Sequence, residues 1–555
     1  MHNLIRRQKY GILYFFLFAV LLMGIAVPVV SAESTEEPQD AVIFFDTQNQ
    51  EELDYMADRV TALGGMVLAT FPTRAMFASL TLAQSNSLQE LPEVELLSFE
   101  LVDGNDVPAD IGAQAAAAAW NARFEKSPIE QSQYLQLPDI DDQRYPPDLV
   151  ANQAFTTEGD AAEAVYQTSE FMIGSLQVDV FLPESNGTVD PNLEHWDAYR
   201  IEKVMAEVVN GITWWINSAT EGDRPSANLS ANIVFHTPLN EPLIVSTGYE
   251  PISRTYANEG LWMGEILSKM GYTGNYFSAL RQYAHNRRVE MKKDWGFSVW
   301  IVDSYNDADG RFEDKSYFAY SYVNGPMFVM TYDNDGWGIN RMDIVSAHEM
   351  GHTFGALDEY AASGCKDSAI SGYLGVANTN CENGDPAVEA SIMRSSSSQL
   401  AAFPYHLVST PVRGMVGWRD KDGDGIYDPV DTTPKIDQMT APTDMSIASI
   451  SSILGDTSDV PHFSSTRPDV TINTIKLVEA RIDGEAWSPC LPSDGSFNEI
   501  AESFSCSIPL LSANKYTIEV RSRNSYGNYS FLNLITEDGV SLGPQFFTYL
   551  PLIEN

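Results

Sequence analysis

Basic residues are scarce in this chain: 33 Lys and Arg stand against 76 Asp and Glu, a formal net charge of −43 over 555 residues. Nucleic acid is thereby excluded as a partner, because binding it takes a basic surface that displaces counterions. Cysteine is also sparse, at four residues, which excludes a small disulfide-framed scaffold. No apolar run after residue 30 reaches the length needed to span a bilayer. Glycine (37) and proline (29) are too few for a fibrous or low-complexity chain. With 44% hydrophobic and 11% aromatic residues, what is left is a packed globular protein. At about 100–200 residues per domain it should hold three or four domains.

The single long apolar run stands at the start. Arg6, Arg7 and Lys9 precede Gly11 to Val30, and Val30-Ser31-Ala32 offers a small-residue cleavage signal before Glu33. Residues 1–32 are expected to be a signal peptide, giving a secreted, extracellular product with no stable membrane span. An uncleaved anchor is the other reading. Export suits the cysteines. Four allow three connectivities, and the local pairs Cys365–Cys381 and Cys490–Cys506 are the simplest.

Residues 40–103 alternate strand-like and helix-like runs in β-α-β-β-α-β order. Through Gly64-Gly65-Met66-Val67 and Leu91-Pro92-Glu93-Val94 this α+β unit resembles the propeptide-like inhibitor domains ahead of subtilisin-type proteases, which implies a removable segment and a zymogen. Residues 104–165, with Pro128, Pro138, Pro146 and Pro147, read as a linker and processing region, so the mature chain is expected to begin there. From 166 to 440 strands recur between amphipathic helices, the order of a sheet covered by helices. From 441 to 555 short period-two runs and turn signals predict an all-β, immunoglobulin-like or fibronectin-like sandwich stapled by Cys490 and Cys506.

The most informative segment is His348-Glu349-Met350-Gly351-His352-Thr353-Phe354-Gly355-Ala356-Leu357-Asp358-Glu359-Tyr360. Histidines at i and i+4 share one helix face, so both imidazoles can reach one Zn²⁺. Glu349, beside the first, can take a proton from an attacking water. Catalytic zinc takes three protein ligands and keeps a position open. Gly355 lets the helix end and the chain turn, which would bring Asp358 in as the third.

Here the chain resembles the metzincin clan of zinc endopeptidases, in the form H-E-x-G-H-x-x-G-x-x-D-x-Y, similar to the snapalysin branch and to IgA-protease-like metallopeptidases. The resemblance implies a mixed-sheet α/β catalytic domain, a protein or peptide substrate, and a methionine turn, for which Ser391-Ile392-Met393 is the candidate. It also implies that the strand at 327–332 forms the upper rim of the cleft. Of Tyr405 and His406, which follow the turn, one could stabilise an oxyanion, or His406 could replace Asp358 as third ligand. A second ion is expected at Asp420-Lys421-Asp422-Gly423-Asp424-Gly425-Ile426-Tyr427-Asp428-Pro429-Val430-Asp431, a Ca²⁺ loop using Asp420, Asp422, Asp424, Asp428, Asp431 and the Ile426 carbonyl. It resembles the calcium loops of thrombospondin-type repeats. The rival expectation is a non-catalytic, calcium-dependent adhesion or glycan-binding protein with a relic metal site, its C-terminal sandwich making the surface or glycan contact.

Overall fold

The computed structural model describes residues 37–125, 137–140, 143–144, 165–220, 225–383, 389–440, 451–508, 516–537 and 540–546. The expected signal peptide lies outside the described residues. The fold is a multidomain α/β arrangement with one large mixed sheet and several smaller ones.

The large sheet has ten strands in the order β4-β1-β3-β2-β8-β6-β10-β12-β11-β5. They are β1 (Gln39–Phe45), β2 (Met66–Phe71), β3 (Ala75–Leu80), β4 (Val94–Ser98), β5 (Gln143–Arg144), β6 (Ser175–Phe181), β8 (Ser230–His236), β10 (Trp295–Val302), β11 (Ala319–Tyr322) and β12 (Met327–Thr331). Strands β2, β8, β6, β10 and β12 run parallel, and β11 is antiparallel to β12. All eight residues of β10 are buried, as a central parallel strand covered on both faces requires. Alternation sends Val299 and Ile301 into one apolar cluster and Trp300 and Val302 into another. Helices α3 (Ile111–Glu125), α4 (Ala198–Ala219) and α7 (Met342–Thr353) close the first cluster, and α5 (Glu259–Lys269) and α6 (Tyr276–Glu290) close the second.

Strands β1–β4, with α1 (Gln50–Ala62) and α2 (Leu82–Gln89), follow the expected β-α-β-β-α-β order. They do not form a separate layer. Ala69 and Thr70 of β2 pair in parallel with Ala231 and Asn232 of β8, so one sheet runs through both regions. Where a linker was expected, α3 begins at Asp110, whose carboxylate accepts from the Ala113 N–H at 3.0 Å. Ala113, Ala115, Ala116, Ala117, Ala119 and Trp120 are all buried. An alanine-rich helix carries almost no apolar–polar periodicity, which is why the pattern did not reveal it.

A buried polar chain crosses this junction. Thr70 Oγ1 donates to Asn232 Oδ1 (2.8 Å), Asn232 Nδ2 to Gln177 Oε1 (2.7 Å), and Gln177 Nε2 to Asp179 Oδ2 (2.9 Å). Asp179 in turn holds His236 at 3.0 Å and Arg287 at 3.3 Å, while Glu241 takes the other His236 nitrogen at 2.7 Å. Burial alone would lower the His236 pKa, but the two carboxylates raise it to about 9. A group raised from its unfolded value near 6.5 stabilises the fold fully below that pH and loses the contribution as pH climbs through about 9. Between pH 6.5 and 9.5 the wild type should therefore lose roughly 1–3 kcal/mol more stability than His236→Gln. Denaturant midpoints at the two pH values check this, and equal losses would contradict it.

Toward the C-terminus two antiparallel sheets face one another. One has four strands in the order β15-β16-β20-β19, from β15 (Pro434–Thr440), β16 (Ser451–Asp459), β19 (Leu491–Pro492) and β20 (Ala501–Ile508). The other has five in the order β18-β17-β21-β22-β23, from β17 (Ile475–Ile482), β18 (Ser488–Pro489), β21 (Tyr516–Asn524), β22 (Tyr529–Glu537) and β23 (Val540–Phe546). Ile453 and Phe504 from the first sheet share a core with Val478, Val520 and Leu532 from the second. The Cys490–Cys506 disulfide lies in that core, and Cys365–Cys381 is also formed, so the local pairing holds. Short ladders β7 (Glu184–Ser185) with β9 (Ser246–Thr247) and β13 (Ile370–Ser371) with β14 (Val376–Ala377) complete the strands. Among the described residues no helix is long and apolar enough to cross a membrane.

Candidate metal centre

Every residue of α7 is buried, and the helix sits where α4 and the turn after residue 390 can grip it. Trp215 Nε1 of α4 donates to the Ala347 carbonyl at 2.7 Å. A Cβ on Gly351 would lie 2.7 Å from Met393 Sδ and 3.1 Å from the Trp215 ring. Only glycine lets the methionine seat against the helix at that point. Gly355, at φ +89°, makes the turn that L side chains resist, and the chain comes back through Asp358. The Glu359 N–H then donates to the Met393 carbonyl at 2.8 Å, stitching the two loops together.

This brings three ligand-type atoms together. His348 Nε2 lies 3.2 Å from His352 Nε2 and 3.2 Å from Asp358 Oδ1, and His352 Nε2 lies 3.3 Å from Asp358 Oδ1. All three residues are at most 1% exposed. His348 Nδ1 is 3.0 Å from the Ile392 carbonyl and His352 Nδ1 is 2.8 Å from the Ala356 carbonyl. Those carbonyls place the protons on Nδ1 and turn the Nε2 lone pairs toward Asp358. Gln399 also meets His348 Nδ1 at 3.0 Å, through its amide. Burial opposes ionisation of Asp358, and imidazoles protonated on Nε2 would hold its carboxyl down to about 2 by their charge and hydrogen bonds, a role that falls to a cation when those nitrogens present lone pairs instead. Three lone-pair donors converging in a buried space make a set that could hold a metal ion. Glu349, also fully buried, adjoins His348 on the same helix. His406 is outside the converging set, its ring 5.7 Å from that of Trp214, and Tyr405 is 68% exposed.

In the acidic loop, Asp420, Asp422 and Asp424 converge. Their carboxylates accept from loop N–H groups, including Gly423 and Gly425 on Asp420 (2.7 and 3.0 Å) and Ile426 on Asp424 (2.9 Å). The other two carboxylates point to different partners: Asp428 pairs with Arg419 at 2.5 Å, and Asp431 accepts from Asn528 at 2.9 Å.

Two features beside the centre were not anticipated. The strand expected as the cleft rim, β12, lies inside the sheet between β10 and β11, and β11 stands between it and the two-residue edge strand β5. Ser321 of β11 meets Thr353 of α7 at 3.1 Å, and the Asn324 N–H donates to the His352 carbonyl at 3.1 Å. With only Ala-Tyr-Ser-Tyr to show, β11 is too short for a strand pattern. In addition, Leu137–Ile140 lies against the loops that build the centre. Tyr360 donates to the Ile140 carbonyl (2.7 Å), Trp337 to the Pro138 carbonyl (3.0 Å), and the Ser396 N–H to Asp139 (3.0 Å).

Neither a protein-family model nor a curated protein matches this chain. Among solved structures, it is similar to the sulfane dehydrogenase SoxCD from Paracoccus pantotrophus at 11% identity and a TM-score of 0.15, covering 18% of this chain and 28% of that one. It is also similar to OgpA from Akkermansia muciniphila in two crystal forms, at 11% and 10% identity and TM-scores of 0.19 and 0.20. Each covers 72% of this chain, and 99% and 100% of OgpA. Likeness at these values assigns neither fold nor activity.

Proposed function

We propose that this protein is a secreted, metzincin-like zinc endopeptidase acting on proteins or peptides, with His348, His352 and Asp358 as ligands and Glu349 as general base. The convergence of two Nε2 atoms and one carboxylate oxygen carries this reading. A tetrahedral ion with bonds of about 2.0–2.1 Å spaces its ligands by about 3.3–3.4 Å, and the observed separations are 3.2–3.3 Å. Bound there, zinc would polarise the scissile carbonyl and lower the pKa of a water molecule toward neutrality. Glu349 would take the proton from the attacking water and pass it to the leaving amine. Met393 would serve as the methionine turn, supporting the helix through Gly351.

The three ligand side chains are themselves buried. Residues 137–140, within the region expected to be processed, are proposed to limit access to the centre through their contacts with Tyr360 and Ser396, as an inhibitory segment of a zymogen would. The C-terminal pair of sheets is proposed as an immunoglobulin-like sandwich that contacts surfaces or glycans.

Cleavage of casein, after limited proteolytic activation, should fall to background with phenanthroline and return with added Zn²⁺. Chelator-insensitive cleavage would overturn the metal-dependent mechanism, and no cleavage in any preparation would favour the non-catalytic adhesion reading instead. The acidic loop is proposed to bind Ca²⁺ through Asp420, Asp422 and Asp424. If it does, saturating Ca²⁺ should raise the melting temperature, since a ligand at 100 times its Kd adds about 2.7 kcal/mol. An Asp422→Asn variant should show a smaller rise, and identical rises would rule the loop out.

A further inference from the structure

Beside the candidate centre, β11 carries a second built site. The Arg144 guanidinium carbon lies 4.0 Å from the Tyr256 ring centroid and 5.6–5.7 Å from those of Tyr317, Tyr320 and Tyr322. Tyr256 and Tyr317 meet edge to face at 4.4 Å and are only half-buried, so the seat between them opens to solvent. Beneath them lies Glu259, only 2% exposed. Its carboxylate accepts from Tyr276 and Tyr322 at 2.6 Å each and from Tyr320. Ring faces above a buried carboxylate attract a planar cation from every side, and desolvation strengthens that attraction.

The occupant matters as much as the cage. Arg144 belongs to β5, a two-residue strand added to the outer edge of β11 in register Tyr322↔Arg144. The Val323 N–H donates to its carbonyl at 2.6 Å. One residue further on, Asn324 bonds the carbonyl of His352, so this edge passes directly by the candidate metal ligands. An extended peptide taking the place of β5 on this edge would set one side chain at the cage, because main-chain pairing fixes the register and pockets then read alternate side chains. A net charge of −43 favours the approach of a cationic peptide.

We propose that the tyrosine cage over Glu259 is a substrate subsite for an arginine side chain of a peptide lying along β11, with Arg144 as its resident occupant. The substrate role rests on the endopeptidase reading, whereas the cage's selectivity for a guanidinium can be measured without it. Calorimetry on the full chain would use acetyl-arginine amide and its neutral isostere acetyl-citrulline amide as probes. Arg144→Ala should bind the arginine compound at least about tenfold more tightly than the citrulline compound. Wild type should bind the arginine compound at least about tenfold more weakly than the variant, because its seat is filled. Tyr256→Leu added to the variant should erase the preference. If Arg144→Ala does not yield folded protein, Arg144→Gln empties the cage of charge while keeping the stem.

Equal binding of the two compounds by a folded variant would overturn the cage. Cleavage of a peptide library should then show Arg enriched at one fixed position relative to the scissile bond. Cleavage with no basic preference would overturn the subsite while leaving the endopeptidase reading intact. Arginine-selective binding without cleavage would keep the cage and overturn the endopeptidase reading.

Discussion

Glu349→Gln should lower peptide-bond cleavage by about 10²–10⁴-fold, the range that a positioned general base contributes, while leaving the metal content unchanged. The substitution keeps size and polarity but removes the capacity to accept a proton. Glu349 is not one of the three converging residues, so a metal held by His348, His352 and Asp358 should stay in place. An Asp358→Ala variant should behave differently, losing metal and activity together, since it removes one of three ligand atoms. Measuring bound metal and casein turnover on the same samples separates the two effects. A Glu349→Gln protein that cleaves at the wild-type rate would end its role as the base.

Deleting residues 38–125 should prevent folding of the remainder. This departs from the expectation that residues 40–103 are shed, and the reason is the continuous sheet. Removal would leave Asn232 without its Thr70 partner in a buried chain, at about 1–3 kcal/mol for an orphaned group. It would also strip Trp120 and the alanine face of α3 from the first apolar cluster. Losing one buried tryptophan side chain alone costs about 3–5 kcal/mol. These losses, about 4–8 kcal/mol before the alanine face is counted, are comparable with the whole of a typical stability of about 5–15 kcal/mol. The truncated chain should therefore aggregate or lack a cooperative melt. A chain nicked after residue 125 should instead keep both pieces co-eluting on gel filtration. A monomeric, cooperatively melting 126–555 product would show that the N-terminal strands are dispensable.

The sequence was most legible where one periodicity dominates. The run Phe297 to Val302 is apolar but for Ser298 and became a strand buried on both faces, and the long amphipathic stretch from Trp196 became α4. Within the zinc-type motif, residue spacing anticipated the close approach of His348, His352 and Asp358, because helix geometry and a glycine turn act over the eleven residues from His348 to Asp358. What stayed hidden depends on contacts between distant segments. That β2 would pair with β8 cannot be read from either strand, and α3 lacks an amphipathic signature because alanine faces all its sides. The acidic loop shows the opposite limit. Its residue pattern matched six calcium ligands, but Arg419 and Asn528 draw Asp428 and Asp431 away from the other three carboxylates.

The central claim, a zinc ion bound by two histidines and an aspartate, is tested most directly by anomalous diffraction at the zinc edge from crystals grown with the native metal. The account predicts one strong peak within about 2.3 Å of His348 Nε2, His352 Nε2 and Asp358 Oδ1. No peak there, or a peak on another ligand set, would contradict it.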